Sequence, residues 1–249
     1  MTSQQVVILG SGGWIPNHGR ATSCLAIRVQ KRLVLLDAGT GVANLRSRPD
    51  LLHGVEAVDI FLSHFHLDHV IGISYLPGWG LPPISVSGPG ALFGSSTRVI
   101  LESLSSPPFF SAPLSSYIAD VKEVTEGENR TDGLDVQARI QERHPGKSLA
   151  YRLGDLLTYC TDTAVDPANG AFARGSKILL HEAWGVDSSP EPYAHSSAAE
   201  AAEIAQASGV ERLKLIHLPP RVADYTVMLD AARAIFPQTS LARDFEELS

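Results

Sequence analysis

A chain of 249 residues with 44% hydrophobic and 19% charged residues has an ordinary globular composition, which excludes disordered and collagen-like classes. A single domain over 1–249 can bury roughly three quarters of its unfolded surface, so no disulfide staples are needed. The formal net charge of −7, from 20 Lys and Arg against 27 Asp and Glu, offers no global basic field, and no long nucleic-acid footprint is expected. Cys24 and Cys160 lie far apart with no CxxC spacing, which excludes a cysteine zinc site or a thioredoxin-type motif and points to a reducing cytoplasm. No apolar run approaches the roughly 18 residues of a membrane span. The opening MTSQQVVILG lacks the basic and apolar regions of a signal peptide, so neither a membrane partner nor export is expected.

In chain order, VVILG (6–10) reads as a strand ending in Gly-Ser-Gly-Gly, and CLAIRV and LVLLD across Gln30-Lys31 read as a hairpin. The pattern predicts a helix over 42–52 and a buried strand, DIFLS (59–63), running into a histidine cluster. From Gly78 to Pro113 the chain reads as loop, punctuated by proline and glycine, with a short helix at 97–104. Phe109-Phe110, between prolines, is either a pocket lining or an apolar plug. Strands follow at 134–140, 150–153, 156–160 and 177–180. Ser197-Ala-Ala-Glu200 is a capping box opening a helix that Gly209 stops, KLIH is a strand, and a last helix over 225–236 ends at Pro237. Strands precede helices in both halves, which implies an α/β architecture: a four-layer αββα sandwich with helices outside.

The segment LSHFHLDHVIG places His64, His66, Asp68 and His69 within six residues directly after a strand. On a regular strand the first three share a face and His69 points away, and on a helix none of the first three would meet; in a loop at a strand end, His64 and His66 can converge on one ion while Asp68 and His69 turn toward a second. Imidazole and carboxylate suit Zn²⁺, Mn²⁺ or Fe. Four polar residues on a solvated turn would be costly at the edge of the apolar runs that flank them. Three more candidates stand at separate strand ends: His144 after DVQARI, Asp162 ending LLTYCTD, and His217 ending KLIH. The Gly10-Ser-Gly-Gly loop lacks nucleotide-fingerprint spacing and reads as a tight turn near the metal rim, with Asp37 as a buried partner of backbone amides.

The motifs LSHFHLDHVIG, ERHPGKSLAYRL, TYCTDTA and LIHLPPR, with the opening VVILGSGGWIP and LLDAGTG, resemble the successive metal motifs of the metallo-β-lactamase superfamily over nearly the whole chain. The resemblance implies two divalent transition metal ions, Zn²⁺ foremost and Mn²⁺ or Fe as alternatives. His64, His66 and His144 would hold one, Asp68, His69 and His217 the other, and Asp162 would bridge them. The lack of a cysteine ligand departs from the true β-lactamases. The flavodiiron proteins, with a glutamate in the cluster and an added flavin domain, are also unlike this sequence.

His181-Glu182-Ala183 and His195-Ser196-Ser197 resemble the phosphodiesterase branch that contains ribonuclease Z, where a histidine in the position of His195 assists at the scissile phosphate. TDTA and YLPGWG are similar to the cyclic ribose phosphodiesterase of the carbon-phosphorus lyase pathway, whose extra cysteine zinc site has no counterpart here. Ribonuclease Z enzymes carry a long basic tRNA-binding arm between the motifs of His144 and Asp162, where this chain has 17 residues. The expectation is therefore a phosphodiesterase for small or cyclic phosphodiesters, working through a hydroxide between two metals, with Asp68 and His195 as catalytic residues. Arg221 is either a phosphate contact or a solvated side chain, and a homodimer is left open. A lactonase or thioesterase on the same metals is the first rival, with Tyr75 or Tyr193 as its tyrosine. A noncatalytic binding protein is the second, although a decayed site should have lost a ligand and all seven are present.

Overall fold

The computed structural model describes residues 4–17, 19–131, 133–186 and 195–248. One sheet contains β1 (Gln5–Gly10), β2 (Cys24–Val29), β3 (Arg32–Leu36), β4 (Ala57–Phe61), β5 (Ile84–Gly88) and β6 (Asp120–Glu123), side by side in that order. The other contains β7 (Gly127–Thr131), β8 (Leu134–Gln141), β9 (Ser148–Leu153), β10 (Leu157–Cys160), β11 (Ile178–Glu182), β12 (Arg212–Ile216) and β13 (Thr239–Leu241), also in order. The short β14 (Glu247–Leu248) returns to pair with β1, so each sheet has seven strands among the described residues. Among the described residues five α-helices accompany them: α1 (Leu67–Val70), α2 (Thr97–Leu104), α3 (Pro167–Ala173), α4 (Ala198–Ser208) and α5 (Thr226–Ile235). None is long and apolar enough to cross a membrane.

The strand sequences explain the four layers. In β1 every residue from Val6 to Gly10 is buried, because the two faces of the strand enter different cores. Val6 and Ile8 join Leu25, Ile27, Val34 and Leu36 against Val136, Leu149, Tyr151 and Leu180 of the second sheet, which forms the central core. Val7 and Leu9 face outward with Leu33 and Leu35 onto Val42, Leu45, Ile73 and Leu101. The outer face of the second sheet, including Leu179, Leu213 and Leu215, packs on α4 and α5 through Ala201, Ala205, Met228 and Ala232. Alanines on α4 let the helix lie close to the strands, and its ends are set by the Ser197–Glu200 capping box and by Gly209 in the left-handed conformation. This is the αββα sandwich.

Both halves follow one plan: an antiparallel run (β1–β3 and β7–β10), then parallel strands (β3–β6 and β10–β13). The parallel strands end at one edge of the molecule, where open α/β sheets place their ligands.

Several elements depart from the sequence reading. The helix expected over 42–52 is two 3-10 segments, Thr40–Ser47 and Pro49–Leu51, because Pro49 supplies no N–H and biases Arg48 away from the helical region. The stretch expected as loop contains β5, whose ISVSG sequence hides a strand behind serine and glycine. The structure adds the polar strands β6 and β7, together with α3, β13 and β14, to the elements expected from the sequence.

Candidate metal centre

Each candidate ligand sits just past a strand, or in the β8–β9 turn. His64 lies three residues beyond β4. The cluster is not wholly a loop: His66 is the N-cap of α1, and Asp68 and His69 lie on its first turn. This change from extended chain to helix turns side chains that would otherwise diverge toward one point. Asp37, Asp162 and His217 follow β3, β10 and β12 with positive φ of 59°, 35° and 50°. Such backbone is costly for residues other than glycine and persists where surrounding contacts impose it, commonly at functional sites.

Asp162 stands at the middle. Its Oδ1 is 3.1 Å from His69 Nε2 and 3.2 Å from His217 Nε2, and its Oδ2 is 3.7 Å from His64 Nε2 and 3.9 Å from His144 Nε2. His144 Nε2 is 3.3 Å from His66 Nδ1, while Asp68 Oδ2 is 3.2 Å from His217 Nε2 and 3.5 Å from His69 Nε2. The ligand atoms of His64, His66, His144 and Asp162 all lie within 4.8 Å of one another, and so do those of Asp68, His69 and His217. Tetrahedral ligands about 2.1 Å from Zn²⁺ are about 3.4 Å apart, which matches this spacing. The seven residues singled out in the sequence thus form two adjoining donor sets, with one oxygen of Asp162 turned to each.

The surroundings fit cations. The Nε2 atoms of His64 and His69 are buried with no hydrogen-bond partner, and buried polar atoms rarely stay so without a water or ion. Burial, reinforced by the neighbouring His69, pushes His64 well below the ordinary imidazole range, the neutral form a ligand requires. Burial also lowers His66, with His144 adding to the effect. At His69 burial acts the same way but is overcome by Asp162, Asp37 and Asp68, which raise it well above its usual value. Three carboxylates around one imidazole are a cage that demands positive charge.

Outer contacts hold the donors in place. Asp37 is fully buried and accepts from the Ser63 amide at 2.7 Å, from the Tyr159 hydroxyl at 2.8 Å and from His69 Nδ1 at 2.8 Å, so its role extends beyond the backbone amides expected of it. Such a bond fixes the tautomer of His69 and aims Nε2 at the cluster. Tyr151 of β9 donates to the Leu62 carbonyl at 2.7 Å, bracing the His64 segment against the second sheet. The Trp14 amide donates to Asp68 Oδ2 at 2.6 Å. Gly13 packs flat on His217, where an added Cβ would sit 2.5 Å from the ring, so the glycine turn does border the cluster.

A cleft of about 350 Å³ opens above these groups, lined also by Trp14, Pro145, Trp184 and His195. His195 stacks on Trp184, with ring centroids 4.5 Å apart, and its Nδ1 is 2.8 Å from Glu182 Oε2. Burial would lower the His195 pKa, but the Glu182 carboxylate overcomes it and lifts the group to about 9. Glu182, buried at the end of β11, also accepts from the Thr163 amide beside Asp162. Neither the Glu182–His195 bond nor the Trp184 platform was read from the sequence; the only signal was the spacing of the HEA and HSS motifs. His181 points elsewhere, buried with Nδ1 2.9 Å from the Glu182 carbonyl oxygen. Arg221 lies over the Trp14 ring at 4.6 Å instead of lining the cleft. Among the described residues no tyrosine lines it, and Tyr193 falls outside them.

The family model for the beta-lactamase superfamily domain matches residues 32–218. The chain belongs to the beta-lactamase superfamily. It is 29% identical to a ribonuclease Z of Synechococcus sp. strain WH7803, covering 97% of this chain and 94% of that protein. It is 25% identical to the ribonuclease Z of Methanothermobacter thermautotrophicus, covering 96% and 94%. That alignment spans 294 positions, more than the 249 residues of this superfamily member, so the archaeal protein carries stretches with no counterpart here. Among solved structures, the metallo-beta-lactamase fold protein YhfI from Bacillus subtilis superposes with a TM-score of 0.79 at 19% identity, covering 100% of this chain and 99% of that one. A diphosphatase from the PhnP family gives 0.74 at 17% identity, covering 99% and 98%. Likeness at these identities establishes the fold.

Proposed function

We propose that this protein is a binuclear metal-dependent phosphodiesterase for small or cyclic phosphodiesters. The observation that carries the reading is the Glu182–His195 pair beside the double donor set: a proton donor held where a leaving oxygen would depart. His64, His66 and His144 would hold one ion, Asp68, His69 and His217 the other, and Asp162 both. Zn²⁺ suits these donors best, and Mn²⁺ and Fe share them. When bound, such a pair supplies activated water and charge stabilisation at the phosphoryl oxygens.

The chain's own residues do the rest. Glu182 occupies His195 Nδ1, which leaves Nε2 for the substrate, and its carboxylate raises the imidazole to about 9, which favours the protonated form. His195 therefore donates its proton to the departing alkoxide. Trp184 keeps the ring in plane, and the Trp14 amide holds Asp68, which would orient the attacking water. The similarity to ribonuclease Z proteins supports phosphodiester chemistry, while the 17 residues between His144 and Asp162 favour substrates smaller than tRNA.

The test compares two leaving groups in one variant. His195→Ala should keep both metals and lose about 10²- to 10⁴-fold on an alkyl phosphodiester, but much less on a nitrophenyl one, whose leaving group needs little protonation. Equal losses would make His195 an electrostatic or structural residue. No loss on either would remove the case for phosphodiesters over lactones, and a wild type that turns over lactones or thioesters alone would replace the reading.

A further inference from the structure

A second cavity, of about 390 Å³, is walled by α1, α2 and the segment that carries Phe109 and Phe110. Its volume is that of a small-molecule pocket. Leu67, Val70, Leu101, Leu104 and Phe110 are among the residues that line it. Its two polar side chains are turned to other work: Ser74 Oγ donates to the Ile71 carbonyl at 2.6 Å, and Ser105 Oγ is 2.8 Å from the Tyr117 hydroxyl. The wall therefore offers hydrocarbon and little that could orient a polar ligand.

Leu67 joins this pocket to the metal centre. It stands between His66 and Asp68, which both line the cleft, while its own side chain lines the apolar cavity. Leu67 is 60% exposed and Phe109, across the pocket, 79%. Exposed side chains of this size beside a catalytic cleft contribute little to the fold, because burying them elsewhere would stabilise it more.

We propose that the apolar cavity receives a hydrocarbon arm of the substrate, an alkyl or aryl group on the alcohol that stays esterified while the phosphodiester lies at the His/Asp cluster. This rests on the phosphodiesterase reading and narrows it to substrates that carry an apolar group. The occupant is a substrate arm because the pocket is of small-molecule size and its wall residue Leu67 stands in the chain between two residues that line the cleft; a protein partner would call for a broader face.

The experiment uses p-nitrophenyl phosphodiesters that differ only in the second alcohol, methyl, butyl or octyl, with metal-loaded full-length protein. Wild-type kcat/KM should rise by up to about fourfold per methylene until the pocket is filled. Leu67→Ala and Phe109→Ala, both at exposed positions that the fold tolerates, should each flatten the octyl-to-methyl ratio by about tenfold or more. Calorimetric binding of methyl octylphosphonate against methyl methylphosphonate gives a readout without turnover and should show the same preference and the same loss. Turnover with no chain-length dependence overturns this inference and leaves the phosphodiesterase reading intact. Chain-length-dependent binding without turnover of any phosphodiester supports the pocket and overturns that reading. If sedimentation shows a dimer that both substitutions convert to monomer, with no chain-length dependence, the cavity is an interface between copies and the inference fails.

Discussion

At the scale of single residues, the balance at His195 decides whether the cleft contains an acid. An ordinary imidazole near pH 7 is mostly neutral, and burial alone would make it more so; the 2.8 Å contact with Glu182 lifts His195 to about 9. Two bound divalent ions act in the opposite direction, so protonation is lost at or below that pH. For an alkoxide leaving group, kcat should therefore fall as pH rises through this group's pKa, and a nitrophenyl substrate should lack that limb. Glu182→Gln keeps an acceptor for the Thr163 amide but removes the charge, so the limb should move to lower pH. A pH–rate profile in which the limb stays in place would separate Glu182 from the proton donor. Asp162→Asn is harsher, since one oxygen faces each donor set: metal content should fall from about two ions per chain toward none, read by elemental analysis.

At the scale of elements, the turn after β1 is fitted to His217. Gly13 has no Cβ, and one built there would meet the imidazole at 2.5 Å, so Gly13→Ala must displace the ring. The fold should survive while the set of Asp68, His69 and His217 loses its geometry, giving about one metal per chain and at least about a tenfold loss of turnover. Two tightly bound ions with wild-type activity would show that the ring can yield. The sequence made the candidate donors legible because strand ends carry strong local signals: an apolar run, then a histidine or aspartate. The capping box of α4 was legible for the same reason. Other features depended on distant pairing. The β5 residues alternate Ile, Ser, Val and Ser inside a proline-rich stretch, and only their place between β4 and β6 makes them a strand. Strands β6 and β7 are polar because they are sheet edges. A four-residue helix such as α1 is below the reach of any periodicity. The Asp37–His69 and Glu182–His195 contacts join residues 32 and 13 positions apart, which no local pattern encodes.

At the scale of the whole molecule, the donor sets tie the two halves together. His64, His66, Asp68 and His69 follow the first sheet's β4, whereas His144, Asp162 and His217 come from the second sheet, so bound ions would cross-link the sandwich at its open edge. Without cations, Asp37, Asp68 and Asp162 crowd around His69 and hold its pKa well above the ordinary imidazole value. Metal should thus stabilise the native state well beyond the cleft. An ion at 100 times its Kd that binds only the folded chain contributes about 2.7 kcal/mol. For a domain of this size that corresponds to about 5 to 11 °C in Tm per ion. Removing metal with a chelator should lower Tm by at least that much, and restoring Zn²⁺ should recover it. In Asp162→Asn the chelator should have almost no effect, because the increment it removes is already gone. A wild-type Tm indifferent to both chelator and added metal would mean that the halves are held by the apolar core alone and that the His/Asp cluster is no metal centre.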